Sequence, residues 1–154
     1  MRHIVSFVHV SLDGFVASAD GGLDWISIND ELFGYVEQRI KQTDTALYGR
    51  VTYQMMEAYW PTAADKPSPT SHDIEHSRWY KNVRKIVLSK TMQEKNHSNT
   101  KIIRSNLTGE ITQMKQGAGS EILMFGSPSA THALMAEKLI DEYWLFINPI
   151  LLGQ

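Results

Sequence analysis

The chain has 154 residues and a formal net charge of −2, from 15 Lys and Arg against 17 Asp and Glu. This length is typical of one domain with a full hydrophobic core, and the near-balanced charge argues against a nucleic-acid or polybasic membrane surface. The absence of cysteine excludes disulfides, thiolate metal ligands and a cysteine nucleophile. We therefore expect a single domain over residues 1–154 that binds neither nucleic acid nor a membrane, with the cytoplasm as the default compartment.

The apolar residues predict strands and helices that alternate along the chain. Strands are predicted over residues 4–12, 45–49, 85–88, 102–103, 121–125 and 142–150. Helices are predicted over residues 27–40, 50–57, 71–80, 110–115 and from 127 to about 140. Ser27 and Ser71 are the candidate caps of the first and third helices. The segment 61–71 contains three prolines and is predicted to be an exposed loop.

This order predicts an α/β protein with three layers, in which a mostly parallel central sheet has helices on both faces. Ligands of such sheets bind beyond the carboxyl ends of the strands. Four predicted strands end in polar or glycine-containing turns, namely 11–14, 49–53, 89–91 and 126–129. Backbone amides, hydroxyl groups and a nearby cation suit a phosphate, so the turns together predict a ligand with several phosphates, such as a dinucleotide. Each turn alone is also explained as an ordinary connection.

Neither the G-x-G-x-x-G fingerprint nor the P-loop motif is present, so a dinucleotide would bind by another scheme. Six short motifs resemble, in order, the dihydrofolate-reductase-like family that includes the C-terminal reductase domain of bifunctional riboflavin biosynthesis proteins. The resemblance covers essentially the whole chain. The motifs are Ser11–Gly14, Leu47–Tyr53, Val87–Thr91, Phe125–Ser127, Leu139–Tyr143 and Pro149–Gly153.

The resemblance implies an NADPH-dependent reductase of a pteridine-like or pyrimidine-like heterocycle. It implies that the NADPH diphosphate lies against Gly49, Arg50, Thr52, Gly126 and Ser127, and the 2′-phosphate against Ser89, Lys90 and Thr91. Asp13 and Gly14 are expected beside the nicotinamide and the substrate, with Asp13 as a catalytic residue. Relatives often form homodimers, for which residues 142–150 are a candidate surface. The family's sheet normally continues past Gly153, so a shortened version of the domain is expected.

Two positions depart from the riboflavin-pathway pattern. Phe15 stands where such members usually have a lysine, and Phe125-Gly126-Ser127 stands where they usually have Glu-Gly-Gly. Both departures remove a charge from the substrate side. They predict a substrate without a phosphate at these two points, which argues against the phosphoribosylaminouracil reductase reaction.

On the substrate side, Asp30 or Glu31 is a candidate carboxylate for a ring N–H pair, with Glu31 as a second catalytic candidate. Acidic residues in a first helical turn are equally expected as capping chemistry. Stacking surface for a flat ring is predicted from aromatic side chains, which are also ordinary core residues. These aromatic candidates are Phe15, Trp25, Phe33, Tyr53 and Trp60.

Two alternatives belong to other classes of protein. His72-Asp73-Ile74-Glu75-His76 matches the H-x-x-E-H pattern of a zinc peptidase, in which both imidazoles bind zinc and Glu75 acts as the base. No third ligand is marked, so no metal ligand is assigned and a solvated helix is the favoured interpretation. The other alternative is a module on the same fold that binds a nucleotide or pterin without catalysis.

Overall fold

A six-stranded parallel sheet forms the centre of the protein in a computed structural model that describes residues 1–93 and 99–153. Its strand order is β4-β3-β2-β5-β1-β6, and every neighbouring pair is parallel. This arrangement confirms the predicted α/β class. The strands are β1 Ile4–Ser11, β2 Thr43–Gly49, β3 Arg84–Leu88, β4 Thr100–Ile103, β5 Glu121–Phe125 and β6 Glu142–Asn148.

Helices cover both faces of the sheet, as the sequence predicts. They are α1 Asp30–Ile40, α2 Arg50–Tyr59, a short 3-10 helix Trp60–Asp65, α3 Ser71–Asn82, α4 Leu107–Gln116 and α5 Pro128–Ala136. Successive strand residues point to opposite faces. Val5 therefore packs in the core that contains Val36 of α1, while Ile4 packs in the core that contains Leu134 of α5. No helix in the described ranges is long and apolar enough to cross a membrane.

The two predicted helix caps are each displaced. Asn29 caps α1, because its Oδ1 accepts the Leu32 N–H at 2.9 Å. Thr70 caps α3 through a capping box with Asp73, so Ser71 is the first helical residue. In both cases two nearby residues have side chains that can cap a helix, Ser27 and Asn29 for α1 and Thr70 and Ser71 for α3. Which of the two becomes the cap depends on where the chain enters the helix.

Residues 61–71 are only in part the loop that the prolines predict. Pro61 lies in the first turn of the 3-10 helix, where its missing N–H costs no hydrogen bond. Ala63 of this helix is completely buried. The 3-10 helix packs against α3, so this segment forms part of the core on the α1–α3 face.

The strands end at different heights at the carboxyl edge of the sheet. β5 ends at Phe125, which pairs with Phe7, whereas β1 continues to Ser11 with β6 as its only partner. The helix that follows β2 lies on one face, and the helix that follows β5 lies on the other. Connections that leave neighbouring strands on opposite faces open a crevice between them. The crevice beside β5 is therefore the candidate site.

Candidate cofactor and substrate site

The turns after β2 and β5 meet at this crevice. A Cβ added to Gly49 would overlap Ser127 Oγ and lie 2.9 Å from Ser127 Cβ, so only glycine fits there. Gly126 and Ser127 both adopt left-handed backbone, with φ of 49° and 62°. Thr52 Oγ1 lies 3.9 Å from the position of a Cβ on Gly126. The structure thus brings together four of the residues predicted to contact the diphosphate.

Two helices begin at these turns without a side-chain cap. Gly49 is the N-cap of α2 and Ser127 the N-cap of α5, and neither accepts a hydrogen bond from its helix through a side chain. The free N–H groups in the first turn of both helices therefore point toward the crevice with the positive end of each helix dipole, an arrangement that favours anions. In α5 these N–H groups begin after Pro128, because proline has none. Arg50 is exposed beside them and donates to Gln54 Oε1 at 3.2 Å.

A third turn follows β3. Ser89 Oγ accepts the N–H groups of Thr91 and Met92 at 3.3 and 3.0 Å, which fixes the turn and leaves the hydroxyl hydrogen as a donor. Lys90 is exposed at its tip. Arg104 donates to the Met92 carbonyl oxygen at 2.9 Å and brings a second cation to the turn. The sequence analysis missed Arg104, although it directly follows β4 and lies at the same edge.

Three hydrogen bonds hold the carboxylate of Asp13. Its carboxylate accepts the Ser11 hydroxyl at 2.7 Å and the amides of Leu152 and Gly153 at 3.1 and 2.9 Å. These hydrogen bonds, with that of Ser11 the strongest contribution, lower the pKa of Asp13 to about 2. The ionised carboxylate thus holds the segment after β6 against this turn. The catalytic role of Asp13 stays a prediction, and it would be the role of an anion and not of a proton donor.

The connection between β1 and α1, together with the first turn of α1, carries most of the predicted substrate residues. Gly14 has a φ of 87°, which lets the chain turn sharply after β1. Phe15 is half-buried next to this turn, and its N–H donates to Ser11 Oγ at 2.8 Å. Trp25 is half-buried, and Asp30 and Glu31 are exposed at the first turn of α1.

The other aromatic candidates pack against neighbouring rings, with Tyr53 buried and Phe33 and Trp60 half-buried. Tyr53 is only 3% exposed and lies with its ring 6.2 Å from that of Tyr48, so we leave it out of the substrate site. Phe33 stacks on His72 with ring centroids 3.8 Å apart. Trp60 lies 3.9 Å from the ring of His76. These contacts tie together α1, the 3-10 helix and α3.

The H-x-x-E-H motif is divided between the two sides of α3. His72 and His76 are buried among aromatic rings, whereas Glu75 is exposed and forms an ion pair with Arg78 at 2.9 Å. Within the described part of the chain, no group of three or more His, Cys, Asp or Glu residues is arranged to hold a metal ion. The geometry therefore gives no support to the zinc peptidase alternative.

His9 and Asn148 form a polar contact that the sequence analysis did not single out. Asn148 is 4% exposed, and its Oδ1 accepts the Ser27 N–H at 2.9 Å. Its Nδ2 donates to the Phe146 carbonyl oxygen at 3.0 Å and lies 3.4 Å from His9 Nδ1. Both side chains come from ordinary strand positions. No local motif marks them, and only the β1–β6 pairing reveals their contact.

The six-stranded parallel sheet, with glycine turns meeting at its carboxyl edge, defines this chain as an α/β protein. Within that class, the chain belongs to the RibD C-terminal domain family, whose model matches residues 2–154. A curated relative, the uncharacterized protein YyaP of Bacillus subtilis, is 29% identical over 99% of this chain and 78% of its own length.

Many solved structures are similar to this chain, and two that match nearly its whole length serve as examples. One is a protein from Shewanella sp. PV-4 whose name assigns it to riboflavin biosynthesis. It has a TM-score of 0.71 and 26% identity, and the match covers 99% of this chain and 80% of that one. The other is dihydrofolate reductase from Enterococcus faecalis in complex with NADP(H), with a TM-score of 0.62 and 16% identity over 97% of this chain and 72% of that one. The second likeness shows the fold alone.

Proposed function

We propose that the protein is an NADPH-dependent reductase that transfers a hydride to a flat, uncharged nitrogen heterocycle. The observation that carries this proposal is the meeting of the Gly49 and Gly126–Ser127 turns, with two uncapped helix N-termini, at the crevice beside β5. A crevice of this kind suits a dinucleotide, and the amides that point toward it suit a diphosphate. Membership of the RibD C-terminal domain family supports a reductase-like activity.

The described residues fit this cofactor by their chemistry. The two turns offer backbone amides to the diphosphate, and Arg50 and Thr52 add a cation and a hydroxyl group beside them. Ser89, Lys90 and Thr91, with Arg104, offer hydroxyl groups and positive charge to a 2′-phosphate. When bound, NADPH supplies the hydride, and the task of the protein is to bind and orient both partners.

The substrate would lie at the notch that β1 forms beyond the end of β5, next to Gly14, Phe15 and Trp25. Phe15 offers apolar surface in place of a cation. Phe125 is 6% exposed and packs in the core, so it does not line the notch. Phe15 alone favours a ring without a phosphate at this end. The exposed carboxylates of Asp30 and Glu31 are the remaining candidates for contact with ring N–H groups.

Binding and turnover test this proposal separately. NADPH and NADH are titrated into the protein while the fluorescence of its four tryptophans is recorded. NADPH oxidation is then measured against dihydropterins and aminopyrimidines. We expect saturable NADPH binding and turnover of at least one unphosphorylated ring. The proposal fails if neither nucleotide binds, and binding without turnover across the panel favours a non-catalytic module.

Lys90→Ala is expected to weaken NADPH binding by about tenfold while leaving NADH binding nearly unchanged, because only NADPH carries the 2′-phosphate. The measurement is the ratio of the two dissociation constants. Lys81→Ala is the matched control, since Lys81 is an exposed lysine in the last turn of α3. An unchanged ratio in Lys90→Ala would remove Lys90 from the 2′-phosphate site.

The outer face of β6 supports a second part of the proposal, a homodimer. Tyr143, Leu145 and Ile147 alternate along this edge strand and are 42%, 57% and 64% exposed. Large apolar side chains side by side on an edge strand favour association with another surface. A second copy of the chain offers a self-complementary partner for this strip.

Leu145→Lys is expected to shift the protein from dimer to monomer at micromolar concentration, because it places a charge in the middle of the strip. Light scattering coupled to size-exclusion chromatography measures the change. Ile74→Lys is the control, since Ile74 is 36% exposed on α3, away from β6. A wild-type protein that is already monomeric would contradict the dimer, as would a Leu145→Lys variant that remains dimeric.

A further inference from the structure

The notch beyond β5 contains one titratable side chain from the sheet itself. The Gly126 N–H donates to the Phe7 carbonyl oxygen at 3.0 Å, and there β5 turns away from β1. His9 is two residues further along β1 and therefore lies on the same face as Phe7. Its ring is 5.4 Å from those of Phe7 and Phe146, and it is half-buried. His9 thus stands beside the Gly126 turn, at the end of the sheet assigned to the nicotinamide and substrate.

The orientation of the Asn148 amide follows from two backbone contacts. Its Oδ1 accepts the Ser27 N–H, and its Nδ2 donates to the Phe146 carbonyl oxygen. If the amide were flipped, its Nδ2 would face the Ser27 N–H and its Oδ1 would face the Phe146 carbonyl oxygen. Only the observed orientation therefore satisfies both contacts. The second Nδ2 hydrogen is then directed at His9 Nδ1, 3.4 Å away.

This contact determines which nitrogen of His9 carries the hydrogen. A ring nitrogen that faces an N–H donor must be the unprotonated one, so the hydrogen of the neutral imidazole lies on Nε2. The opposite tautomer would set two N–H groups against each other. Burial lowers the pKa of His9, which keeps the ring neutral near neutral pH. His9 therefore presents a fixed, uncharged hydrogen-bond donor through Nε2.

We propose that His9 is a substrate-binding residue whose Nε2–H donates to an acceptor atom of the heterocycle, and that Asn148 is the positioning residue that fixes this tautomer. The inference rests on the proposed function and adds a substrate class to it. The preferred ring is uncharged and carries a carbonyl oxygen or an unprotonated nitrogen on the edge that faces His9. A ring with an N–H group or a positive charge on that edge leaves two donors opposed and binds more weakly.

The tautomer is tested by NMR on the whole protein without any ligand. Long-range ¹H–¹⁵N correlation distinguishes the two tautomers, and His9→Gln assigns the His9 signals among the six histidines. We expect the Nε2–H form. In Asn148→Asp a carboxylate accepts in place of the donor, so His9 is expected to change to the Nδ1–H form and to titrate at higher pH. His132, exposed on α5, is the control that stays unchanged.

An Nδ1–H form in the wild-type protein overturns the inference, as does a His9 tautomer that is unaffected in Asn148→Asp. The wild-type spectrum gives its answer even if Asn148→Asp does not fold, because the only variant that it requires is His9→Gln, for assignment of the signals.

The contact between His9 and the heterocycle is tested with two probes, lumazine and 5,6-diaminouracil, which both carry ring carbonyl groups. His9→Gln keeps a donor near the Nε2 position, whereas His9→Phe keeps a ring against Phe7 and Phe146 without a donor. We expect His9→Phe to weaken probe binding by about tenfold or more and His9→Gln by about threefold or less. NADPH affinity is expected to stay at the wild-type value in both variants. Equal probe binding by all three proteins overturns the inference.

The probes also separate this inference from the proposed function. If wild-type protein fails to bind NADPH, the proposed function fails, while a probe-dependent shift of His9 Nε2 still supports the contact. If NADPH binds and turnover occurs but no probe shifts His9 Nε2, the reductase proposal stands and the inference alone is overturned.

Discussion

Gly49→Ala is expected to abolish NADPH binding and to lower the free energy of unfolding by about 1–3 kcal/mol, the usual cost of overpacking. Gly49 has a φ of −75°, which any residue adopts, so the requirement for glycine is one of space. An added Cβ would overlap Ser127 Oγ and lie 3.5 Å from Ala130 Cβ. Ser127 is already in left-handed backbone at the start of α5 and has little freedom to yield. The two turns must therefore separate, which disrupts the proposed diphosphate site.

Gly34→Ala is the matched control for this prediction. A Cβ at Gly34, inside α1, meets no heavy atom within 4 Å. The variant is expected to gain about 0.5–1 kcal/mol of stability, because alanine loses less backbone freedom than glycine in a helix. Its NADPH affinity should match that of the wild type.

Ser127→Gly provides a rescue, since it removes the hydroxyl that Gly49→Ala overlaps and relieves the left-handed backbone. The double variant Gly49→Ala, Ser127→Gly is expected to recover most of the lost stability in urea unfolding. Wild-type NADPH binding by Gly49→Ala itself would contradict the assignment of these turns to the cofactor.

The fold was predictable because local patterns specify most of the elements. Glu121–Phe125 was predicted with its observed ends, since an apolar run is followed at once by glycine. The carboxyl-edge rule likewise led to Gly49 and Gly126, which the structure brings together. Helix starts were harder to predict because Ser27 and Asn29 both have capping side chains. The cap is Asn29, whose Oδ1 accepts the Leu32 N–H, while the Ser27 N–H donates to Asn148.

The parts of the site that escaped prediction depend on pairings between distant segments. His9 and Asn148 are 139 positions apart and meet only because β6 pairs with β1. The Asp13-Gly14 pair predicts a turn, but it does not predict that the N–H groups of Leu152 and Gly153 donate to the Asp13 carboxylate. Tyr53 has a helical position equally suited to core and surface, and its burial depends on how α2 packs. Such contacts require the three-dimensional arrangement.

Acidification is expected to lower the free energy of unfolding because His72 and His76, the two histidines of the H-x-x-E-H motif, are buried. His76 is 3% exposed, with its ring against Trp60 and 5.1 Å from that of Trp79. Burial, with a smaller contribution from His72, lowers the pKa of His76 to about 3. Burial also lowers the pKa of His72, although Glu37 lies 3.4 Å from its Nδ1 and opposes the effect.

The sign of the effect follows from proton binding. Below the ordinary histidine pKa of 6.5 the unfolded chain takes up a proton at His76, whereas the native protein does so only near pH 3. The unfolded state therefore binds more protons throughout this interval. The free energy of unfolding therefore keeps its full value above pH 6.5 as far as His76 is concerned. It falls as the pH is lowered below 6.5, by up to about 1.4 kcal/mol per pH unit for this one histidine.

His76→Phe is expected to flatten this pH dependence, because phenylalanine keeps an aromatic ring against Trp60 and cannot be protonated. Urea unfolding between about pH 4 and about pH 7 gives the slope, and His132→Phe, at an exposed position of α5, is the control that should keep the wild-type slope. A direct NMR titration of the wild-type ring covers the case in which the variant misfolds. Because burial lowers the pKa of His76, the ring is expected to stay neutral to the onset of acid unfolding. A midpoint near 6.5 would contradict the burial of His76 against Trp60.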